Sequence, residues 1–253
     1  MNGDVRKIQY SRNHQADLVD YPISDIDDDE DFLTDFSIAR PYSMVGKEAL
    51  YSLYQAVKYV LSREIPGDIV ECGVWRGGGS LLAGLALKRF RKESEEAPSR
   101  DRRVWLYDTF EGMTAPIDAD VDIGGGSARA YIEKYGDDGK WCYSDEDEVR
   151  MNLVAGGLSP EEFVLVKGDV LDTLDRESPR QISVLRLDTD WYESTKKELE
   201  VLYPLLSPGG VLIIDDYGHW QGARKAVDEY FETQAKPIFL QRTTYAVRTG
   251  VKI

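Results

Sequence analysis

The sequence is poor in cysteine, histidine and positive charge, and it has no long apolar run. Two cysteines and two histidines among 253 residues provide neither a disulfide framework nor a structural zinc pattern. The formal net charge of −15 argues against nucleic-acid binding, because neutralising phosphates requires clustered lysine and arginine. No apolar run approaches the roughly 20 residues of a membrane span, and the N-terminus lacks a signal-peptide core. These absences predict a soluble, cytoplasmic protein without a nucleic-acid or membrane partner.

Residues 1–41 read as an acidic arm preceding a single domain at 42–253. The arm has little periodicity and contains the run Asp25-Ile-Asp-Asp-Asp-Glu-Asp31. This run lacks the glycine and the terminal glutamate of an EF-hand calcium loop, so a solvated, partly disordered segment is expected. Apolar residues on both sides of the run indicate that the arm packs on something. A neighbouring subunit is one candidate, so a homo-oligomer is expected.

Strands and helices alternate through the domain. Apolar runs predict strands at 68–71, 104–107, 163–167, 182–187 and 211–214, and helices at 47–62, 80–91, 194–206 and 221–232. Two further strands, 237–241 and 244–248, are separated by only two residues and should form an antiparallel hairpin. The predicted fold is α/β and Rossmann-like, with a mostly parallel seven-stranded sheet. Five parallel strands with crossover helices, followed by a terminal antiparallel hairpin, are the layout of class I S-adenosylmethionine (SAM) methyltransferases.

The connection between Phe110 and Glu162 is too long for an ordinary loop. It contains Gly124-Gly-Gly126, Trp141 and two predicted helices, 128–134 and 146–155. Long loops usually carry function, so the insertion at 112–160 is interpreted as an acceptor-binding lid. A surface insertion or an oligomer contact is the alternative.

A glycine turn follows the first predicted strand. Its spacing, Gly73-x-x-x-Gly77-Gly78-Gly79, is not the pyrophosphate-binding G-x-G-x-x-G pattern, which disfavours an NAD-dependent dehydrogenase. SAM has an amino-acid tail, a sulfonium and a ribose, and it suits a glycine turn flanked by acids. Glu71, Asp108 and Asp169 end three successive strands: Asp108 is expected at the ribose hydroxyls and Asp169 at the adenine amine.

Four acids follow two of the predicted apolar strands. Asp188 and Asp190 come after 182–187, and Asp215 and Asp216 come after 211–214. Strand ends of this kind meet at the ligand-binding edge of an open α/β sheet. Because the carboxylates would repel each other, the sequence predicts a divalent metal between them. Strand geometry would point Asp188 and Asp190 the same way but a turn would not, so ligand and base are not distinguished by spacing alone.

Four motifs together resemble a known family. They are Glu71-Cys-Gly-Val-Trp-Arg-Gly-Gly78, Tyr107-Asp-Thr-Phe-Glu-Gly112, Leu187-Asp-Thr-Asp-Trp-Tyr-Glu-Ser-Thr195 and Ser207-Pro-Gly-Gly-Val-Leu-Ile-Ile-Asp-Asp-Tyr217. In this order and spacing they resemble the macrocin O-methyltransferase family, over about residues 42–230. The resemblance implies SAM- and magnesium-dependent methylation of a sugar hydroxyl, usually on a deoxysugar in antibiotic biosynthesis.

The resemblance also implies roles for individual residues. Asp190, Asp215 and Asp216 match the metal ligands, and Asp188 matches the proposed general base. The residues expected at the cofactor are Glu71, Gly73, Trp75, Arg76, Gly77, Ser80, Asp108, Thr109, Phe110, Asp169 and Asp188.

Some roles and rival functions stay open at this stage. His219 is a second catalytic prediction, with helix capping or packing as its alternative, and Arg76 fits a structural ion pair as well as an anion site. A catechol-type O-methyltransferase and a non-methylating SAM-binding protein are the rival functions. The acceptor, either a glycoside or a nucleotide-activated sugar, is not identified by the sequence.

Overall fold

The computed structural model describes residues 24–91, 102–136, 140–234 and 237–253, which build one seven-stranded sheet flanked by helices. The strands are β1 (Asp68–Cys72), β2 (Val104–Asp108), β3 (Phe163–Lys167), β4 (Ile182–Leu187), β5 (Leu206–Ile214), β6 (Gln241–Arg242) and β7 (Arg248–Val251). The helices are α1 (Ser24–Asp27), α2 (Glu30–Ala39), α3 (Lys47–Ser62), α4 (Gly78–Phe90), α5 (Ala128–Tyr135), α6 (Glu146–Ala155), α7 (Val170–Thr173), α8 (Tyr192–Leu202) and α9 (Gln221–Glu232). Within these ranges, no helix combines the length and the apolar character that crossing a membrane requires.

The strand order is β3-β2-β1-β4-β5-β7-β6. The first five strands are parallel, and β7 runs antiparallel to both β5 and β6. The predicted fold class is therefore confirmed. Chain order reverses between β1 and β4, and the carboxyl ends of strands at such a reversal form the usual ligand-binding crevice.

The central strands separate two hydrophobic cores. Ile69 of β1 packs in one core, with α3 and α4, and Val70 packs in the other, with α8 and α9. All six residues of β4 are buried. Because both faces of these strands are covered, the strands read as continuous apolar runs rather than alternating ones, which is why the sequence identifies them.

The terminal hairpin forms as predicted, but its strands lie elsewhere. They occupy 241–242 and 248–251 rather than 237–241 and 244–248, and five residues connect them. The Thr244 hydroxyl accepts hydrogen bonds from the backbone of Ala246 and Val247, which makes this connection a turn. The apolar run at 237–241 is not a buried strand, since Phe239 is 79% exposed.

The described part of the acidic arm is helical and packs on its own domain. Phe32 of α2 is fully buried and its ring lies 5.3 Å from that of Tyr54 in α3. Arg89 of α4 donates two hydrogen bonds of 2.7 Å to Asp35. Residues 24–41 are thus ordered because two buried phenylalanines anchor α2, and the packing that the apolar residues predict is here against the protein's own domain. Residues 1–23 lie outside the described ranges, and the homo-oligomer stays a prediction.

Candidate active site

Three carboxylates converge at the carboxyl ends of β4 and β5. Ligand oxygens of Asp188, Asp215 and Asp216 all lie within 4.8 Å of one another, and all three residues are half-buried. They meet because the parallel register pairs Leu187 with Ile214, so the residues that follow emerge side by side. This cluster differs from the predicted ligand set, which contained Asp190 in place of Asp188.

Asp190 lies outside that cluster because the chain turns after β4. The strand ends at Leu187, the Trp191 amide donates to the Thr189 carbonyl, and Asp190 adopts a φ of +69°. The continuous strand that would point Asp188 and Asp190 in one direction therefore does not extend this far. Asp190 instead accepts a hydrogen bond of 3.0 Å from the indole of Trp220.

A buried guanidinium, that of Arg186, holds the acidic strand ends together. Its Nη1 donates to Glu71 at 2.6 Å and to Asp188 at 2.7 Å, and its Nη2 donates to Asp215 at 2.6 Å. Arg186 is 3% exposed. Sequence reasoning assigned the whole compensating charge to a metal and missed this residue. The available indication was a single arginine inside the otherwise apolar strand Ile182-Ser-Val-Leu-Arg-Leu187.

The cluster nevertheless keeps an excess of negative charge. Burial raises the pKa of Asp188, Asp190 and Asp216 well above the usual value, and neighbouring carboxylates raise it further. The Asp216 Oδ2 is buried and accepts no hydrogen bond. A divalent cation would favour the charged form of these acids, and carboxylate oxygens are the ligands that Mg²⁺ prefers. The donor set therefore fits a magnesium ion.

The glycine turn between β1 and α4 faces the same site. Gly73 has a φ of +80°, and a Cβ there would lie 2.0 Å from the Asp188 carbonyl oxygen. Asp108 fixes the turn, since its Oδ2 accepts from the amides of Val74 (2.8 Å) and Trp75 (3.3 Å). Its Oδ1 accepts from the Phe110 amide at 2.8 Å. Asp108 therefore orders the turn, and its contact with a ribose stays a prediction.

A cavity of about 860 Å³ opens beside these residues. Of the residues predicted from sequence, it is lined by Gly73, Trp75, Asp108, Asp188, Asp190, Asp215, Asp216 and His219. A smaller cavity of about 60 Å³ shares Gly73, Asp108 and Asp188 with it and adds Thr109 and Asp169. Asp169 also caps α7, accepting from the Leu171 amide at 2.9 Å. The structure thus brings most of the predicted site together.

Five predicted cofactor residues do not line either cavity: Glu71, Arg76, Gly77, Ser80 and Phe110. Glu71 is buried beneath α4, where it accepts hydrogen bonds from Ser80 and Arg186. Phe110 is 1% exposed and belongs to the hydrophobic core. The side chains of Glu71, Ser80 and Phe110 are therefore buried beneath the site and do not line the cavities.

The other two residues of this group shape the glycine turn. Arg76 pairs with Glu148 of α6 at 2.8 Å, which matches the structural alternative. Gly77 is the left-handed N-cap of α4, with a φ of +86°. Neither residue lines the cavities.

His219 lies at the outer part of the cavity. Its Nδ1 is 3.4 Å from the Tyr245 hydroxyl, and its ring packs 4.9 Å from that of Trp220. These contacts agree with the packing alternative, and its catalytic role stays a prediction.

The insertion forms one wall of the large cavity. Ten of its residues line the cavity: Gly112, Met113, Asp122, Ile123, Gly124, Tyr131, Tyr135, Trp141, Cys142 and Tyr143. Asp122 orders the glycine loop, accepting from the amides of Gly124 (2.7 Å) and Gly126 (2.8 Å) and from the Tyr131 hydroxyl (2.6 Å). Asp120 anchors the insertion to α8 by accepting from the Tyr192 amide at 2.8 Å. The wall is ordered by buried acids that sequence reasoning did not single out.

Glu198 is another acid that the sequence did not reveal. It is fully buried in α8, and its Oε1 accepts a hydrogen bond of 2.9 Å from Thr189, between Asp188 and Asp190. Burial raises the pKa of Glu198 to about 8. It therefore supports the Asp188–Asp190 turn from within the core as a largely neutral acid.

The family model described as macrocin-O-methyltransferase (TylF) matches residues 6–241. A Streptomyces olivaceus protein, 8-demethyl-8-(2,3-dimethoxy-alpha-L-rhamnosyl)-tetracenomycin-C 4'-O-methyltransferase, is 38% identical over 189 residues, covering 75% of this chain and 67% of that protein. The demethyldecarbamoylnovobiocin O-methyltransferase of Streptomyces niveus is 35% identical over 192 residues, covering 76% of this chain and 68% of that protein. These similarities reach further toward the N-terminus than the four motifs predicted, since the family model includes most of the arm.

A solved structure agrees with the sequence relatives. The O-methyltransferase NovP is 32% identical to this chain, with a TM-score of 0.71, and the similarity covers 83% of this chain and 82% of that one. The chain therefore belongs to the macrocin O-methyltransferase family of SAM-dependent sugar methyltransferases, as its motifs predicted.

Proposed function

We propose that the protein methylates a hydroxyl group of a deoxysugar within a natural-product glycoside, using SAM and Mg²⁺. Asp188, Asp215 and Asp216 would hold the metal, and Asp190 would accept the hydroxyl proton. This assignment exchanges the roles that the resemblance gave to Asp188 and Asp190. The observation that carries the proposal is the approach of three carboxylates to within 4.8 Å of one another beside the glycine turn.

The chemistry requires an activated acceptor, because a sugar hydroxyl is a poor nucleophile at neutral pH. SAM supplies the activated methyl group, and a magnesium ion, when bound, orients and acidifies a hydroxyl. The protein must hold the acceptor oxygen in line with the methyl group, and such positioning can supply roughly 7–11 kcal/mol of the barrier in favourable cases. Asp190 lines the cavity outside the ligand cluster, which suits a base that takes the proton; this step is worth about 10²–10⁴-fold in rate.

The charge of the side chains that line the large cavity favours a glycoside as the acceptor over a nucleotide-activated sugar. Among the described residues that line the large cavity, six are aspartates and none is lysine or arginine. A diphosphate would meet these carboxylates without a lysine or arginine side chain to compensate its charge, which costs free energy. Seven aromatic side chains suit the faces of sugar rings and an apolar aglycone: Trp75, Tyr131, Tyr135, Trp141, Tyr143, Trp220 and Tyr245. The tetracenomycin relative is named for a rhamnosyl-bearing acceptor, which agrees with this proposal.

The metal site is tested by Asp215→Asn. We expect turnover to be lost while SAM binding, measured by calorimetry, stays within about threefold, because Asp215 is assigned to the metal and acceptor side. Asp172→Asn, at an exposed position in α7, is the matched control and should keep wild-type activity. An active Asp215→Asn enzyme that EDTA does not inhibit would refute the metal role.

The acceptor is tested by mass spectrometry over paired substrates. Each sugar is offered once as a neutral glycoside and once as its nucleotide diphosphate, and the mass gain of one methyl group is scored. We expect methylation of the glycosides. Preferential methylation of the nucleotide sugars would contradict the argument from lining charge.

A further inference from the structure

Trp220 lies where α9, the insertion and the Asp188–Asp190 turn meet. It is the N-cap residue of α9 and is 3% exposed. Its ring packs edge-to-face on Trp191, with centroids 5.0 Å apart, and on Tyr131 of the insertion, 5.9 Å apart. Its backbone forms an isolated bridge with Asp122. Contacts on several sides therefore fix the position of this indole.

The polar edge of the indole reaches the acid that is proposed to act as the base. Nε1 of Trp220 donates to Oδ2 of Asp190 at 3.0 Å. An indole N–H can only donate, and it keeps its proton at every accessible pH. In the part of the chain that the structure describes, Trp220 supplies the only permanently protonated N–H group that donates to the Asp190 side chain.

Asp190 needs such a partner because it lies outside any helix or strand. It has a φ of +69°, in the left-handed region, and it lies in a turn beyond the end of β4. Its carboxyl group can rotate between positions unless a neighbour fixes it. The indole donates to Oδ2 of Asp190, whose side chain also contacts Asp216 and lines the cavity.

We infer that Trp220 is a positioning residue that fixes the side chain of Asp190 for proton transfer. The inference rests on the proposed function, in which Asp190 accepts the hydroxyl proton. Through its contact with Tyr131, the same indole connects the base to the wall that faces the acceptor. A purely packing role for Trp220 is the alternative, and it predicts effects on stability and acceptor KM with no dependence on Asp190.

Two phenylalanine variants separate these roles. Trp220→Phe keeps an aromatic ring but removes the donor, and we expect kcat to fall about 10- to 100-fold, as for loss of a hydrogen bond to a charged group. The dissociation constant of SAM should stay within about threefold. Trp191→Phe is the matched control, because its indole donates to the Thr114 carbonyl at 3.1 Å in the same aromatic cluster. This control should change kcat less than about threefold.

A double-mutant cycle tests whether Trp220 acts through Asp190. We expect Asp190→Asn to lower kcat, and Trp220→Phe to cause no further decrease in that background. If Trp220→Phe retains wild-type kcat, or lowers kcat equally in both backgrounds, the positioning role is refuted while the proposed function stands. If Asp190→Asn retains wild-type kcat, the base assignment fails and the positioning role fails with it.

A spectroscopic measurement covers the case in which Trp220→Phe does not fold. The chain has five tryptophans, so the indole N–H signals of ¹⁵N-labelled protein can be assigned individually. We expect Asp190→Asn to shift the Trp220 signal upfield and to leave the Trp105 indole, which donates to Asp68, unchanged. An unchanged Trp220 signal would overturn the inference without any measurement of activity.

Discussion

Replacing Arg186 by methionine tests how the acidic strand ends are stabilised. The substitution removes one guanidinium that donates to Glu71, Asp188 and Asp215. The side chains of Asp188 and Asp215 are 22% and 17% exposed and can gain some solvation, whereas Glu71 is 4% exposed and cannot. Most of the loss in stability should therefore come from Glu71.

The stability lost in Arg186→Met is limited because Glu71 can take up a proton and become neutral. Burial already raises the pKa of Glu71 above its usual 4.5, and Arg186 opposes that rise. Without Arg186 the folded variant keeps a proton that the unfolded chain releases above pH 4.5. This difference lowers the free energy of unfolding by about 1.4 kcal/mol per pH unit. Because the pKa of Glu71 is already raised in the wild-type protein, the loss on removing Arg186 is at most about 3 kcal/mol at pH 7. Breaking a buried ion pair typically costs about 3–5 kcal/mol, in agreement.

Urea unfolding followed by circular dichroism, without added divalent cations, measures this loss at pH 7 and pH 5. Arg150→Met is the control, because Arg150 pairs with Glu146 on the surface of α6 and such pairs contribute only about 0.3–0.5 kcal/mol. We expect Arg186→Met to cost up to about 3 kcal/mol at pH 7 and clearly less at pH 5. A cost similar to that of the control, or one that does not decrease with pH, would refute the reasoning.

Two further predictions concern the support of the Asp188–Asp190 turn. Gly73→Ala should lower the free energy of unfolding by several kcal/mol in thermal unfolding, because its Cβ would lie 2.0 Å from the Asp188 carbonyl oxygen. The control Gly125→Ala, with a similar φ of +86° but no atom within 4 Å of its Cβ, should cost only about 1–2 kcal/mol. Equal losses in the two variants would contradict this account. Because the folded pKa of Glu198 is about 8 against 4.5 unfolded, wild-type stability should fall by about 1.4 kcal/mol per unit as pH rises between these values; Glu198→Gln should show a flatter dependence in urea titrations, and an unchanged slope would be evidence against a neutral buried Glu198.

The sequence predicted the parallel strands well because both of their faces are buried, as at Ile69 and Val70 in β1. Composition alone marks such strands. The hairpin was predicted by connection length, but its strands were misplaced because Phe239 is apolar and yet exposed. Helix α2 was not predicted because Phe32 and Phe36, which anchor it, are too few to produce a clear period.

The candidate site was predicted in composition more accurately than in geometry. That Asp215 and Asp216 approach Asp188 follows from strand adjacency. The separation of Asp190 depends on the turn after β4, in which Asp190 has a φ of +69°, and residue spacing does not encode this turn. The role of Arg186 depends on its cross-strand partner Glu71, and this pairing becomes visible only when strand order and register are known.

The Arg186 ion pairs affect how folding depends on metal binding in the cell. Because its own arginine pairs with the acidic strand ends, the domain can fold before it binds a metal ion, unlike small zinc domains that stay unfolded without metal. Magnesium would then bind to the folded protein, and its release would not unfold the protein. Swings in the cellular magnesium supply should accordingly change how fast the enzyme works and leave its abundance almost unaltered.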